Sequence, residues 1–405
     1  MPLRLSKQIK SKVDPEIPDF SGGQRLKALV SLDPQQTEQA LDVMREVEAV
    51  VIEHLAFIET CRIELSTDAL ETLAMNPAVL HVGFEGYYPI IKGIEYVVQK
   101  RTEYQIKVAN ISLGPFPPHQ AKPFVENDPV NLATKSASEQ GIVVVVAAGN
   151  QGPKNGTMNP WAAAPWVIAV GAAVDERTLA DFSSRGDPND SLHIPTLVAR
   201  GVDIKFEDET LSGTSLAAAK TSFLACVCIE FIETLQSFIG KNRSSLVVGG
   251  EHAIALIDTG IDESRMPLSR RRRLRGGRAR VLSKSEFDKL IKLQEFLSHR
   301  RIPYVVSATP ETVKKMLQSI ATPMQKELHE VGAGFVDDNA AIRYMSSFGA
   351  RSFVRLFAQR NIERDEVEEL DRLDQAFGPF FTKKQSEGIL NFVDLTLGIV
   401  DCRVA

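Results

Sequence analysis

Between Leu211 and Phe231 the chain reads L-S-G-T-S-L-A-A-A-K-T-S-F-L-A-C-V-C-I-E-F, small and hydroxylic residues passing into an apolar run. As a helix this run makes about four turns that are apolar on nearly every face. Such a helix cannot lie on a surface; it must run through the middle of a domain. Ser215 falls in its first turn, where free backbone N–H groups and the helix dipole gather positive potential. That position suits a nucleophile and a developing oxyanion. Ser212, Thr214 and Ser215 are equally candidates for a simple N-cap.

At 405 residues the chain is long for one domain, and two or three units are expected. Its 43% hydrophobic and 24% charged residues describe an ordinary globular protein, and a net charge of -5 exerts no overall pull on nucleic acid or anionic membrane. No apolar run approaches the roughly 18 residues of a spanning helix. The N-terminus, M-P-L-R-L-S-K-Q-I-K, has no apolar core after its positive charges, so neither signal peptide nor membrane partner is expected. Cys226 and Cys228, two apart on one helix, suit neither a disulfide nor a metal clip. With Cys61 and Cys402 as the remaining thiols, a reduced, cytoplasmic setting is expected.

Residues 1–22, rich in Lys, Pro and Asp, read as a flexible tail. Arg25 to Leu32 reads as a strand, and Asp33-Pro34 opens a helix with Ala40, Met44, Val47 and Val51 on one face. Val50 to Ile58 and Arg62 to Leu65 read as strands, Ser66 caps a short helix through Met75, and Val79 to Phe84 is a last strand. This β-α-β-β-α-β order, over residues 23–88, is that of a small ferredoxin-like domain. His54 and His81 fall in its strand patterns as surface or packing residues.

From Ile91 the pattern changes to alternating helix and strand. Ile91 to Lys100 is helical in period, Val108 to Leu113 is a strand, and a loop follows with Pro115, Pro117, Pro118 and His119. A helix over 129–139 leads to the β-branched run Gly141 to Val146, apolar on both faces like a central parallel strand. It ends in Ala147-Ala148-Gly149-Asn150, small enough for close approach of a second backbone or a substrate. Val167 to Ala172 is a further buried strand, before D-F-S-S-R-G at 181–186. The alternation predicts an α/β domain with a mainly parallel sheet, whose active site would sit beyond the carboxyl ends of the strands. Ser112 to Gly114, Asn150 and the Ser215 helix would then face one crevice.

A-A-G-N at 147–150, D-F-S-S-R-G at 181–186 and L-S-G-T-S-L-A at 211–217 resemble the subtilisin-like serine peptidases in order and spacing. S-L-G at 112–114 matches a substrate-pocket wall of that family. Segments 309–317, 321–324 and 332–337 resemble those that close the domain, and the part before Tyr87 is similar to the family's inhibitory propeptide (the I9 type), a folding chaperone and plug. The resemblance implies a three-layer α/β subtilase domain over 89–345, with Ser215 as nucleophile and Asn150 as side-chain oxyanion donor beside the Ser215 N–H. Ser112, Leu113, Gly114, Ala148 and Gly149 would line the site for a polypeptide substrate. The N-terminal domain would act as intramolecular inhibitor. No cofactor, metal or clear calcium loop is expected.

The chain also departs from the family's order of Asp, His and Ser. No H-G-T-H-like segment occurs, and the aspartate-like strand I-A-L-I-D-T-G-I-D at 254–262 follows the serine instead of preceding it. A rearrangement would let residues 246–260 fill the missing strand slot and bring Asp258 to the crevice; a chance strand-turn within an insertion is the alternative. The D-T-G of dimeric aspartic peptidases would need an all-β surround, which the basic and helical flanks oppose. No histidine is secured as base: His252 points to the wrong end of its strand, and His193, His299 and His329 lack the family context. Lys220, five residues along the helix, is turned away from Ser215.

Residues 241–300 form an insertion holding the aspartate-like strand and the run Arg270 to Arg280, the only hint of nucleic acid. Glu286 to Ser298 reads as an amphipathic helix. Residues 346–405 read as a helical extension, with one helix over Phe353 to Ala376 and an apolar segment over Ile389 to Val400. Two functions stay open: a serine endopeptidase with a rearranged or incomplete triad, and a subtilase pseudoenzyme that binds peptides.

Overall fold

The computed structural model describes residues 11–17, 24–115, 124–189, 194–206, 208–239, 246–249, 252–256 and 279–397. The chain divides into two units, residues 1–219 with 325–332, and 220–324 with 333–405.

In the first unit, β1 (Arg25–Leu32), β2 (Val50–Leu55), β3 (Thr60–Ser66) and β4 (Val79–Phe84) form an antiparallel sheet in the order β2-β3-β1-β4. Helices α1 (Thr37–Glu46) and α2 (Leu70–Met75) complete the β-α-β-β-α-β order. Alternation explains the packing: Leu26, Ala28, Val30 and Leu32 point to a core with Ala40, Met44, Ile63 and Leu73, while Leu29 joins the core on the other face. The predicted strand Val50 to Ile58 stops at Leu55, because a 3-10 turn and a left-handed Glu59 reverse the chain into β3. Ser66 precedes the short helix but makes no side-chain cap bond. The tail expected over 1–22 is anchored in its described part: Val13 bridges to Val82, and Val13 and Ile17 are buried in the sheet's core.

Helix α3 (Tyr88–Lys100) leads into β5 (Val108–Ile111), α4 (Pro129–Glu139), β6 (Val143–Ala147), β7 (Ile168–Ala173) and β8 (Leu197–Arg200). Each of β5, β6, β7 and β8 runs parallel to the next. Every residue of β6 and β7 is buried, which is why β6 reads as a continuous valine run. Val144, Val146 and Ala169 share a core with Ile91, Ile94, Val130 and Ala133 of α3 and α4. On the other face Ala217 of α5 (Thr214–Ile239) approaches so closely that a Cβ on Gly201 would lie 3.2 Å from the Ala217 Cβ. Helices on both faces of a parallel sheet give the three-layer α/β architecture. Two short strands, β9 (Ile204–Phe206) and β10 (Glu209–Leu211), pair just before α5.

By length and composition the Thr214–Gln236 portion of α5 could cross a membrane, at mean hydropathy 1.6, contrary to the reading of single-letter runs. Lys220, Glu230 and Glu233 interrupt the run without lowering the average enough, and 56% of the window is buried, as a core helix requires.

In the second unit, β11 (Leu246–Gly249), β12 (His252–Leu256) and β13 (Ala279–Ser283) form their own antiparallel sheet. This corrects the expectation that residues 246–260 fill a slot in the parallel sheet: β12 has partners on both sides, and neither is a parallel strand. Asp258 and Arg270 to 278 of the arginine run lie outside the described residues. Helix α6 (Lys284–His299) follows, then α7 (Pro310–Ile320) with Thr309 as its cap. The single helix expected over Phe353 to Ala376 is two, Ala350–Phe357 and Arg364–Phe377. Between them Ala358 bridges to Tyr304, and Gln359 N–H donates to the Pro303 carbonyl at 3.0 Å, so tertiary pairing replaces helical bonds.

Candidate active site

Three strand-end or helix-start segments of the first unit converge. Past β5, the Ser112 hydroxyl donates to the carbonyl of Ser215 at 3.2 Å and accepts from the Asn110 amide at 3.0 Å. Past β6, Gly149 sits at φ +105°, a conformation that favours glycine, and its N–H donates to the Thr214 hydroxyl at 3.2 Å. The Asn150 side-chain oxygen then accepts twice from Thr214, from the N–H at 3.0 Å and from the hydroxyl at 2.9 Å. Since a backbone N–H must meet an oxygen, these contacts settle which end of the Asn150 amide is which. Among the described residues nothing accepts from its Nδ2.

Thr214 is 1% exposed, Ser215 is half-buried and Asn150 is exposed, so a buried clamp carries groups at an open surface. Ser215 lies in the first turn of α5, and no described residue engages its N–H. The strand ends thus bring Ser112, Asn150 and Ser215 to one place. Leu113, at 53% exposed, and Gly114 continue from Ser112, while Ala148 is buried behind Gly149.

Two supports were invisible in the linear motifs. Asn159, 7% exposed, donates from one amide nitrogen to the carbonyls of Leu113 at 2.8 Å and Ala147 at 3.0 Å, tying the two walls together. Its oxygen accepts from Trp161 N–H at 3.1 Å, so the carboxamide is fully committed. A lone amide amid the apolar T-M-N-P-W-A-A-A is the signal that could have found it. Ser184, of D-F-S-S-R-G, accepts from Gln151 N–H at 3.0 Å and donates its own N–H to the Gly149 carbonyl at 2.9 Å. Any Cβ at Gly149 would lie 2.8 Å from the Ser184 hydroxyl. The N-cap alternative does not describe Ser212, whose hydroxyl accepts from Asp203 N–H at 3.0 Å.

No imidazole bonds to Ser215 among the described residues. His54 faces Glu59 at 3.4 Å, and His329 lends only its backbone carbonyl, to Gly186 N–H at 2.8 Å. His299 ends α6 in the second unit, while His119 and His193 lie outside the described residues. Lys220 does not pair with Ser215; its ammonium meets Asp338 at 2.7 Å. Cys61, Cys226 and Cys228 form no disulfide, and burial pushes the Cys226 thiol up to about 11.

Residues 73–237 match the model of the subtilase family, Peptidase_S8. Serine protease AprX of Bacillus subtilis (strain 168) is 30% identical over 173 residues, covering 35% of this chain and 38% of that protein. Subtilisin-like serine protease AsES of Sarocladium strictum is 31% identical over 175 residues, 42% of this chain and 40% of the relative. Among solved structures, Sphericase is 27% identical over 34% of this chain and 47% of its own, at a TM-score of 0.28. The chain thus spans less than half the length of these relatives. The strand ends, the Asn150–Thr214 clamp and the head of α5 all lie inside the span, residues 73–237, that matches the subtilase family model.

Proposed function

We propose that this domain hydrolyses peptide bonds through an acyl-enzyme on Ser215. The observation that carries the reading is the double acceptance by the Asn150 oxygen from Thr214, the residue before Ser215, which leaves the amide nitrogen without an acceptor among the described residues. A donor held in this way needs no reorganisation when a tetrahedral oxyanion forms, and losing one such donor costs roughly 3 kcal/mol of transition-state stabilisation. A polypeptide would lie along Ser112 to Gly114 on one side and Ala148-Gly149 on the other. The serine needs a base to remove its proton.

The N-terminal sheet acts as intramolecular inhibitor and chaperone, in a cytoplasmic protein. Support comes from its packing: Leu29, Leu55 and Ile58 share one core with Ile91 of α3 and Val130 of α4. The absence of an imidazole on Ser215 among the described residues favours a second reading, a peptide-binding pseudoenzyme of the same fold. A fluorophosphonate probe, applied to the full chain before and after limited proteolysis, separates them. Labelling that disappears in Ser215→Ala establishes an activated serine. No labelling at any pH overturns the peptidase reading in favour of the binding module.

A further inference from the structure

Asn159 stands between the two walls of the candidate site. Its backbone N–H donates to the Ala148 carbonyl at 2.8 Å. Its side-chain nitrogen donates to the carbonyls of Leu113, past β5, and of Ala147, at the end of β6. One nitrogen with two hydrogens answers two acceptors at once, which a hydroxyl or an indole cannot do. The side chain also fills the gap that it spans. A Cβ on Gly114 would lie 3.5 Å from the Asn159 Nδ2, and a Cβ on Gly149 would lie 3.7 Å from the Asn159 Cβ. Both are ordinary van der Waals separations, so the same carboxamide draws the walls together and stops them closing.

This strut has a fixed base. The Asn159 side-chain oxygen accepts from Trp161 N–H at 3.1 Å, and the Asn159 carbonyl accepts from Ala162 N–H at 2.9 Å. Met158, Trp161 and Ala162 belong to the core that holds Val144 and Val146 of β6, and the Trp161 ring meets Tyr87 edge-on at 4.9 Å. Asn159 is buried and bound at both ends of its amide, so it acts through the walls and not by touching a substrate.

We propose that Asn159 is a positioning residue for peptide binding. It sets the separation of the Ser112–Gly114 and Ala147–Gly149 segments, and so the place where an extended main chain lies relative to Ser215. The proposal rests on the reading of those segments as the two sides of a polypeptide site. Its physical ground is that a misplacement of about 1 Å, even away from the reacting atoms, costs up to about a hundredfold in rate. With one rigid side chain bonded to both walls, neither wall moves without the other.

The first test is fluorescence anisotropy of a fluorescein-labelled alanine tetrapeptide amide on the full chain carrying Ser215→Ala, which does not depend on whether the serine reacts. Adding Asn159→Ala should weaken binding at least roughly tenfold. Asn159→Ser keeps one hydroxyl donor and should fall between; it carries the test if the alanine variant does not fold. The second test restores Ser215 and compares the same tetrapeptide, ending in a diphenyl phosphonate, with a small alkyl fluorophosphonate. The Asn159 variants should slow the peptide probe at least roughly tenfold more than the small one, a ratio that general loosening of the fold would not move. Weakened tetrapeptide binding in a chain that no fluorophosphonate labels strikes the peptidase reading and leaves the positioning role standing. Tetrapeptide binding absent from the parent or unchanged by the Asn159 variants, or both probes slowed by one factor, overturns the proposal.

Discussion

Helices α4 and α5 both have a side-chain oxygen on their first N–H groups, yet they differ in whether every group of the first turn is met. At α4 the start is closed: Pro129 has no donor, Val130 and Asn131 give theirs to the Asp128 carboxylate, and Leu132 N–H reaches the Asp128 carbonyl. At α5 the Asn150 side-chain oxygen takes the Thr214 N–H and the Gly213 carbonyl takes the Leu216 N–H, while no described residue takes the Ser215 N–H between them. A capped start stabilises its helix by about 1 kcal/mol. A start that leaves one N–H open keeps a donor and part of the positive end of the helix for an anion. In the proposed reading the Ser215 N–H is that donor.

The sharpest way to break this comparison is at Ser215 itself. Ser215→Ala should abolish fluorophosphonate labelling while leaving circular dichroism and thermal midpoint near those of the parent. Next in size is Asn150→Ala, which removes the amide donor. Its labelling rate should fall by roughly 10² to 10³, the usual cost of one oxyanion donor. A rate unchanged in Asn150→Ala would mean that the open start of α5 serves no oxyanion.

Thr214→Val asks whether the clamp matters beyond its members. Valine keeps the volume but leaves Gly149 N–H without its acceptor and Asn150 with one donor instead of two. An unmet buried group costs about 1–3 kcal/mol. Labelling should slow by about tenfold, and the melting temperature should fall as well. If only stability moves, Thr214 is a structural residue and the amide of Asn150 is held by its backbone partner alone.

How much of this could be read from the chain depends on whether a feature is local. The N-terminal strands were legible because alternation along β1 and β3 records one buried face at a time. β6 was legible because both its faces are covered, leaving only valine. Ser215 and Asn150 stood out through motifs of fixed order. Asn159 did not, since its partners are 46 and 12 residues away and neither spacing is periodic. The break at Ala358 was hidden for the same reason: Tyr304 and Pro303 compete with the helix from afar. The slot assigned to residues 246–260 failed on partner choice, because the apolar run of β12 pairs as well with Leu246–Gly249 and Ala279–Ser283 as with a parallel neighbour.

A third kind of helix start sharpens the contrast through pH. At Arg364–Phe377, Glu363 and Glu366 form a capping box, and Arg360 grips both oxygens of Glu366 at 2.7 and 2.9 Å. The Arg360 guanidinium holds the Glu366 carboxyl down to about 2. Because the folded value is depressed, the stabilisation is present above the unfolded value of about 4.3 and is lost as pH falls through the folded one. Acidification between about pH 4 and pH 2 should therefore lower the thermal midpoint more in the parent than in Glu366→Gln. Equal slopes in that window would show that the pair contributes nothing in solution.

The smallest effect belongs to a start closed by an aspartate like that of α4. Asp337 precedes the helix Asp338–Ser346, and its carboxylate accepts from Ala340 N–H at 2.7 Å. Asp337→Ala leaves that donor to water and removes a negative charge from the positive end of the helix, while Asp337→Asn restores the acceptor without the charge. The alanine variant should lose about 1 kcal/mol, a fall of roughly 2 °C for a chain of this size. The asparagine variant should recover most of it, because hydrogen bonding outweighs the dipole at a partly screened site. Fluorophosphonate labelling should be the same in both. A labelling change as large as that of Thr214→Val would undo the division between closed and open helix starts, since a cap that only holds its own helix has no means of altering the reactivity of Ser215.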